Sequence, residues 1–415
     1  MKTEGARSLT PGDYAVLRTV HENGHATRQR VALRTRFSLV KTSRILNALV
    51  ARGVIVRTKN KQPRSGRPMY LYGMAPEFGH SVGISIGTDS LRLVAVNSRN
   101  ILTKEQVVSY QLGEDPDRHV TELAEQVGRC VRDFWADSAI TDEEPLTLGV
   151  SLPGLIDTRN SVWLQGLQLS GVEDVEIAKI LQRQVDLPVV VEDEARSVAY
   201  WEKTQGLGKG VANFVLLYLG VGVGTGIVIN HRLYHGFHGV AGEIGHLPVH
   251  GNQYRCSCGN KGCLETVVSV PGILRLFRDR LLEGVNSNLQ RAFSLGEKAL
   301  SMQRILEAAR HGDKLTQSTL FEIGGYLGEA CTQVIQLFNP QKVLITGEAS
   351  LLSDYWKSPL NQIVSHSVLP KMLRGVTIEF CDYHPRQEAY GAALLAFHRY
   401  WNRGMRSKPA RRKWP

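Results

Sequence analysis

One short stretch limits what this chain can become. Residues 239–265 read GVAGEIGHLPVHGNQYRCSCGNKGCLE, so a single connecting segment holds two histidines, two glutamates and three of the six cysteines. Cys256, Cys258 and Cys263 are soft donors set among glycines that let the backbone fold back on itself, and His246 or His250 can supply an imidazole. Three thiolates and one imidazole make a closed tetrahedral set, the pattern of a structural zinc site. A metal-bound histidine keeps one ring nitrogen for an oxygen partner. Glu243 lies three residues before His246 and Glu265 two after Cys263. Carboxylates so placed can accept the hydroxyls of a polyhydroxylated ligand.

AGEIGH followed by CSCGNKGCLE resembles the signature of the ROK family (repressor, open reading frame, kinase), and further matches run from about residue 80 to about residue 395. The resemblance implies a two-lobed, actin-like (ribonuclease H-like) ATPase-type α/β domain with a sugar held between the lobes. It also implies that zinc is bound by His246, Cys256, Cys258 and Cys263, which leaves His250 as a loop residue. Glu243, His246 and Glu265 are the implied sugar contacts.

A chain of 415 residues exceeds what one core organises. Its net charge of +11 is unevenly spread: residues 1–80 carry +11, residues 401–415 carry +6 and residues 81–400 carry −6. A cationic end on a mildly acidic body suits a nucleic-acid-binding module attached to a small-molecule domain. No run of about eighteen apolar residues argues for a membrane span, and no charged-then-apolar leader argues for export. With half of the cysteines explained as metal ligands, a cytoplasmic protein is expected.

The N-terminal pattern joins structure to that charge. Helices are expected over residues 11–20, 27–34 and 39–51. Tyr14, Leu17 and Val20 share a face of the first, and the second carries Val31 and Leu33. The third is N-capped by Ser38 and turns Leu39, Ile45, Leu46, Leu49 and Val50 toward a core. Strands over residues 54–59 and 69–74 flank the basic turn NKQPRSGRP, which completes a winged helix-turn-helix. The third helix is expected in a major groove with Ser38, Lys41, Ser43 and Arg44 outward, and Arg64 and Arg67 on the wing near a minor groove or phosphates. The run TRQRVALRTRFSLVKTSRILNALVARGVI is similar to the stretch that bacterial regulators use, except that Arg36 stands at a turn position often held by glycine.

Beyond it, a hairpin over residues 80–98, a third strand, and alternating helices and strands to residue 203 describe the first lobe. The second starts at residue 212 with a strand that runs into Gly220, Gly222, Gly224 and Gly226, a spacing that permits close approach of a phosphate or another strand. A long helix over 315–338, a buried strand over 342–346 and a closing helix over 387–400 follow, the last expected to pack back on the first lobe. The expected partition is 1–78 for the DNA-binding module, 79–195 with 387–400 for lobe one, 196–386 for lobe two with its zinc loop, and 401–415 for a basic tail.

The resemblance also bears on catalysis. Family kinases carry an Asp-x-Gly-Gly-Thr phosphate loop where this chain has Ser85, Ile86, Gly87, Thr88 and Asp89, and an Asn-Asp-Ala-Asn run where it has Asp193, Glu194, Ala195 and Arg196. Glu194 thus stands at the catalytic aspartate position, and an extra methylene displaces a base by about an ångström, which costs on the order of 100-fold. Asp193 and Glu194, with Gln168 at the position of a sugar-binding asparagine, become acceptors for ligand hydroxyls. The expected protein is a sugar-responsive repressor of carbohydrate-utilisation genes, a homodimer or homotetramer on operator DNA. Two alternatives stand beside it: an ATP-dependent sugar kinase with an appended DNA-binding domain, and a regulator answering to a protein partner.

Overall fold

The computed structural model of the chain describes residues 9–22, 24–59, 69–137, 145–166, 171–294, 296 and 299–403. They fall into two compact units, one drawn from Met1–Asp193 and Glu388–Pro415, the other from Glu194–Gln387.

In the N-terminal module, each of the three helix starts coincides with a side chain that satisfies an orphan amide. Before α1 (Pro11–Glu22), the Thr10 amide donates to Asp13 Oδ2 at 2.8 Å and the Asp13 amide donates to Thr10 Oγ1 at 3.2 Å, a reciprocal capping box. Thr27 accepts from the Arg30 amide ahead of α2 (Arg28–Thr35), and Ser38 accepts from the Lys41 amide ahead of α3 (Leu39–Ala51). Strands β1 (His25–Thr27), β2 (Ile55–Lys59) and β3 (Tyr70–Met74) form an antiparallel sheet with β3 in the middle. The turn of residues 60–68, with Arg64 and Arg67, lies outside the described residues. Val16, Leu17, Val20, Val31, Leu46 and Leu49 form the interior. Leu33 and Leu39, expected there, are instead 80% and 47% exposed. Leu33 lies across α2 from Val31, and the inward stripe of α3 begins only at Thr42.

In the rest of this unit, β4 (His80–Ile86) alternates two kinds of residue, Val82, Ile84 and Ile86 against Ser81, Gly83 and Ser85. It pairs antiparallel with β5 (Ser90–Asn97), which pairs with β6 (Leu102–Ser109). After α4 (His119–Ala136), β7 (Thr147–Leu152) runs parallel to β4. A small sheet of β8 (Leu155–Asp157), β9 (Val162–Gln165) and β10 (Glu173–Val175) precedes α5 (Ile177–Val185), and β11 (Val189–Asp193) closes the order β11-β7-β4-β5-β6. The apolar side of β4 packs with Leu123, Val127, Val131 and Phe134 of α4 and Leu181 of α5.

The second unit repeats this plan. It contains α6 (Glu194–Thr204), β12 (Phe214–Leu219), β13 (Val223–Ile229), β14 (Arg232–Leu233), α7 (Glu265–Val268), α8 (Val270–Leu282), α9 (Gln290–Ser294), α10 (Met302–Arg310), α11 (Lys314–Phe338), β15 (Lys342–Thr346), α12 (Ser353–Ser367) and β16 (Thr377–Phe380). The order β14-β13-β12-β15-β16 again sets an antiparallel hairpin on one side of the first strand and parallel strands on the other. Two of the alternate glycines, Gly224 and Gly226, lie in β13, pair with β12 and also meet a helix. Gly224 and Gly226 lie under Ala195 and Ala199, so closely that any side chain there would overlap α6.

The chain closes with α13 (Gln387–Arg403), which runs three residues past its expected end. Its first half lies on the small-residue side of β4 and β7: a methyl group at Gly83 or Gly149 would overlap the carbonyls of Ala389 or Ala392, and Ser81 donates to the Ala393 carbonyl at 2.9 Å. Its second half enters the core of the N-terminal module, where Phe397 and Trp401 are 0% and 1% exposed. Trp401 stacks on Phe78 at 6.0 Å and lies 6.3 Å from Tyr14, while Phe397 lies 5.6 Å from His21.

Candidate metal centre and nucleic-acid interface

The turns of the 239–265 segment bring its donors to one point. A short 3₁₀ turn over Ile244–His246 orients the imidazole, bridges pair Pro248 with Cys263 and Arg255 with Lys261, and the Cys256 amide donates to the Asn260 carbonyl at 2.8 Å. As a result one ligand atom from each of His246, Cys256, Cys258 and Cys263 lies within 4.8 Å of the others. His250 is not in the set; its amide instead donates to Glu329. His246 Nδ1 lies 3.6 Å from Cys256 Sγ, and Cys258 Sγ lies 3.6 Å from Cys263 Sγ. A tetrahedral ion with metal–sulfur bonds of about 2.3 Å needs donors separated by about 3.6–3.8 Å, so the four residues fit a metal ion.

The thiols are unevenly set for deprotonation. Burial, with hydrogen bonds that the Cys263 thiol donates to Cys258 and Cys256, pushes Cys263 up to about 12, and burial also raises Cys256. A backbone hydrogen bond from Asn260 instead draws Cys258 down. Thiolates this close need a cation among them.

Glu265 opens α7 beside these ligands. Its Oε2 accepts the Val223 amide at 3.1 Å and its Oε1 lies 3.7 Å from Cys256 Sγ, so one carboxylate joins the metal loop to the β12–β13 turn. Glu243 is exposed and its carbonyl accepts the His246 amide at 3.2 Å. Arg196, which is 3% exposed, donates to the Ala241 carbonyl at 3.4 Å, tying α6 to the approach to Glu243. Glu194 starts α6, Asp193 ends β11, and both are half-buried. Gln168 lies outside the described residues. Glu192, which spacing did not single out, is 1% exposed and pairs with Arg399 of α13 at 3.6 Å.

On α3 the outward residues are unequally free. The Ser38 hydroxyl caps the helix, and the Lys41 ammonium lies 3.9 Å over the Phe37 ring. Ser43 donates to the Leu39 carbonyl at 2.8 Å and accepts from Arg28 at 3.2 Å, so its hydroxyl is already engaged. Arg44 is exposed, as are Val40 and Asn47, which were not singled out from sequence. Helical period could have found them, because they continue the Arg44 face at four and three residues' remove.

A family model described as the ROK family matches residues 81–399. The chain is 25% identical over 380 residues to the xylose repressor of Caldicellulosiruptor bescii, spanning 92% of this chain and 94% of that one. It is 34% identical over 230 residues to the glucokinase of Halalkalibacterium halodurans, spanning 55% and 69%. Among solved structures, a ROK family transcriptional regulator described as a homologue of the E. coli Mlc protein shares the fold with a TM-score of 0.79 at 24% identity, over 95% and 98% of the two chains.

Proposed function

We propose that this chain, which belongs to the ROK family, is a DNA-binding transcriptional repressor of carbohydrate-utilisation genes whose hold on its operator is set by a bound sugar. The similarity to a xylose repressor supports this, because 92% of the chain cannot be spanned without much of the N-terminal module. The observation that carries the reading is α13. One end of this helix rests on the sheet that ends at Asp193, and the other is part of the core of the DNA-binding module. Glu192 and Arg399 join the same two places. A sugar that binds one arrangement of the end of β11 better than the other would bias the module through this helix.

In this reading Glu243, His246 and Glu265 take the sugar hydroxyls, with Asp193, Glu194 and Gln168 as further acceptors. Zinc on His246, Cys256, Cys258 and Cys263 holds the first three in place, and its soft, tetrahedral donor set favours that ion over magnesium or calcium. A two-fold operator then calls for at least a dimer.

The similarity to a glucokinase favours a second reading, that of a sugar kinase. Phosphoryl transfer needs a base of the right reach and an open phosphate loop, and in this reading Ser85, Thr88 and Glu194 take the positions that the family resemblance implies for them. One experiment separates the two. Duplexes selected from a random library by the full chain should be released by one member of a panel of pentoses, hexoses and their phosphates. Xylose and glucose come first, from the names of the relatives. Turnover of ATP with any of these sugars, abolished in Glu194→Ala, would favour the kinase instead.

A further inference from the structure

α3 carries a feature that charge does not explain. Between Glu22 and Glu77 the sequence has no acidic residue, and Arg28, Arg30, Arg34, Arg36, Lys41 and Arg44 of α2, α3 and the turn between them are all exposed, so this pair of helices suits a polyanion. Yet Val40, in the first turn of α3 and amid these cations, is 82% exposed. A β-branched residue lowers helix propensity, and in the free protein Val40 gains no burial in return. It lies on one stripe with Arg44 and Asn47, opposite the inward Thr42, Ile45, Leu46 and Leu49. The two polar members of that stripe match base edges, since arginine and asparagine make paired hydrogen bonds to guanine and adenine. The C5-methyl of thymine is the apolar group that a base pair shows in the major groove.

Resting on the DNA-binding reading above, we propose that Val40 is a specificity-determining residue that packs on a thymine methyl in each operator half-site. Its burial is completed only on the cognate duplex. Arg44, beside it, supplies the polar contact.

The test uses the full chain and a duplex selected by it from a random library. Each thymine is replaced in turn by deoxyuridine, which removes the methyl and leaves every hydrogen-bonding group. One methyl-sized group is worth about four-fold, so replacement at the contacted position in both half-sites should weaken the wild type about fifteen-fold. Val40→Ala should lose about the same on the thymine duplex and become indifferent to deoxyuridine, while Val40→Ile keeps the discrimination. If no replacement weakens the wild type by more than about two-fold, or if Val40→Ala keeps the full penalty, the assignment is overturned while DNA binding stands. If the wild type retains no duplex at all, the DNA-binding reading fails and takes this assignment with it.

Discussion

The N-terminal module and the 239–265 loop meet the same difficulty and resolve it differently. Each is small for a core drawn from its own residues alone. The module takes in Phe397 and Trp401 from the far end of the chain. The loop instead directs one histidine and three cysteines at a single point. The first solution ties the module's stability to the lobe that α13 also covers, and the second, with a metal ion bound as proposed, would tie the loop's stability to that ion. The two should therefore fail separately.

The largest separation is expected from the metal. For a structural zinc, binding energy is also folding energy, on the order of 10 kcal/mol. Cys263→Ser, or exhaustive chelation, should take the metal content from one per chain to none, open residues 239–265 to proteolysis and abolish stabilisation by sugar. Duplex binding in the absence of sugar should survive. A loop that stays protected without metal would mean that it has a sufficient core after all.

Trp401→Ala tests the other half. Removing a fully buried tryptophan costs about 3–5 kcal/mol, and here the cavity opens among Tyr14, Phe78 and Phe397. Thermal unfolding should show the N-terminal module melting first, with duplex affinity lost and metal content unchanged. Simultaneous loss of the metal would show that the two regions are not independent.

His21 offers a finer probe of the same borrowed core. Burial lowers its pKa to about 4, against about 6.5 in an unfolded chain. Above pH 6.5 the histidine is neutral in both states. As pH falls from about 6.5 to 4 the unfolded chain takes up a proton that the folded chain does not, which costs roughly 3 kcal/mol in all. Stability is therefore retained above pH 6.5 and lost progressively on acidification. His21→Phe should remove this part of the slope, measured as the difference in denaturant midpoint between pH 7 and pH 5.

These contrasts also mark what the sequence could reveal. Ser38 and Thr10 are caps that act within four residues, and the metal donors lie within eighteen residues of one another, so local pattern is enough to find them. The apolar run of α13 reads as a buried helix, but nothing in its period says that Phe397 and Trp401 meet a module more than 300 residues earlier in the chain. Arg18 and Asn402, which hydrogen-bond at 3.3 Å, are 384 positions apart. Glycines at alternate positions fit a phosphate or a helix equally well, and Gly224 and Gly226 proved to serve α6. Exposure was hard to read for the opposite reason. Leu33 and Leu39 are apolar, yet among the described residues no element covers them.

The smallest expected effect returns to the turn between α2 and α3. Arg36 adopts φ 56° and ψ 28°, the left-handed conformation that ends α2. A side chain in that region costs about 1 kcal/mol, whereas glycine occupies it freely but gives the unfolded chain more freedom. Arg36→Gly should therefore stabilise the module by only about 0.5 kcal/mol, seen as a small upward shift in its denaturant midpoint with no change in metal content. Duplex affinity should move the other way, because the exposed guanidinium is removed from the cationic face, and the loss should shrink as salt rises. A gain in stability together with a loss of binding would mean that Arg36 is retained at a strained position for its charge; a loss of both would mean that its side chain also supports the turn.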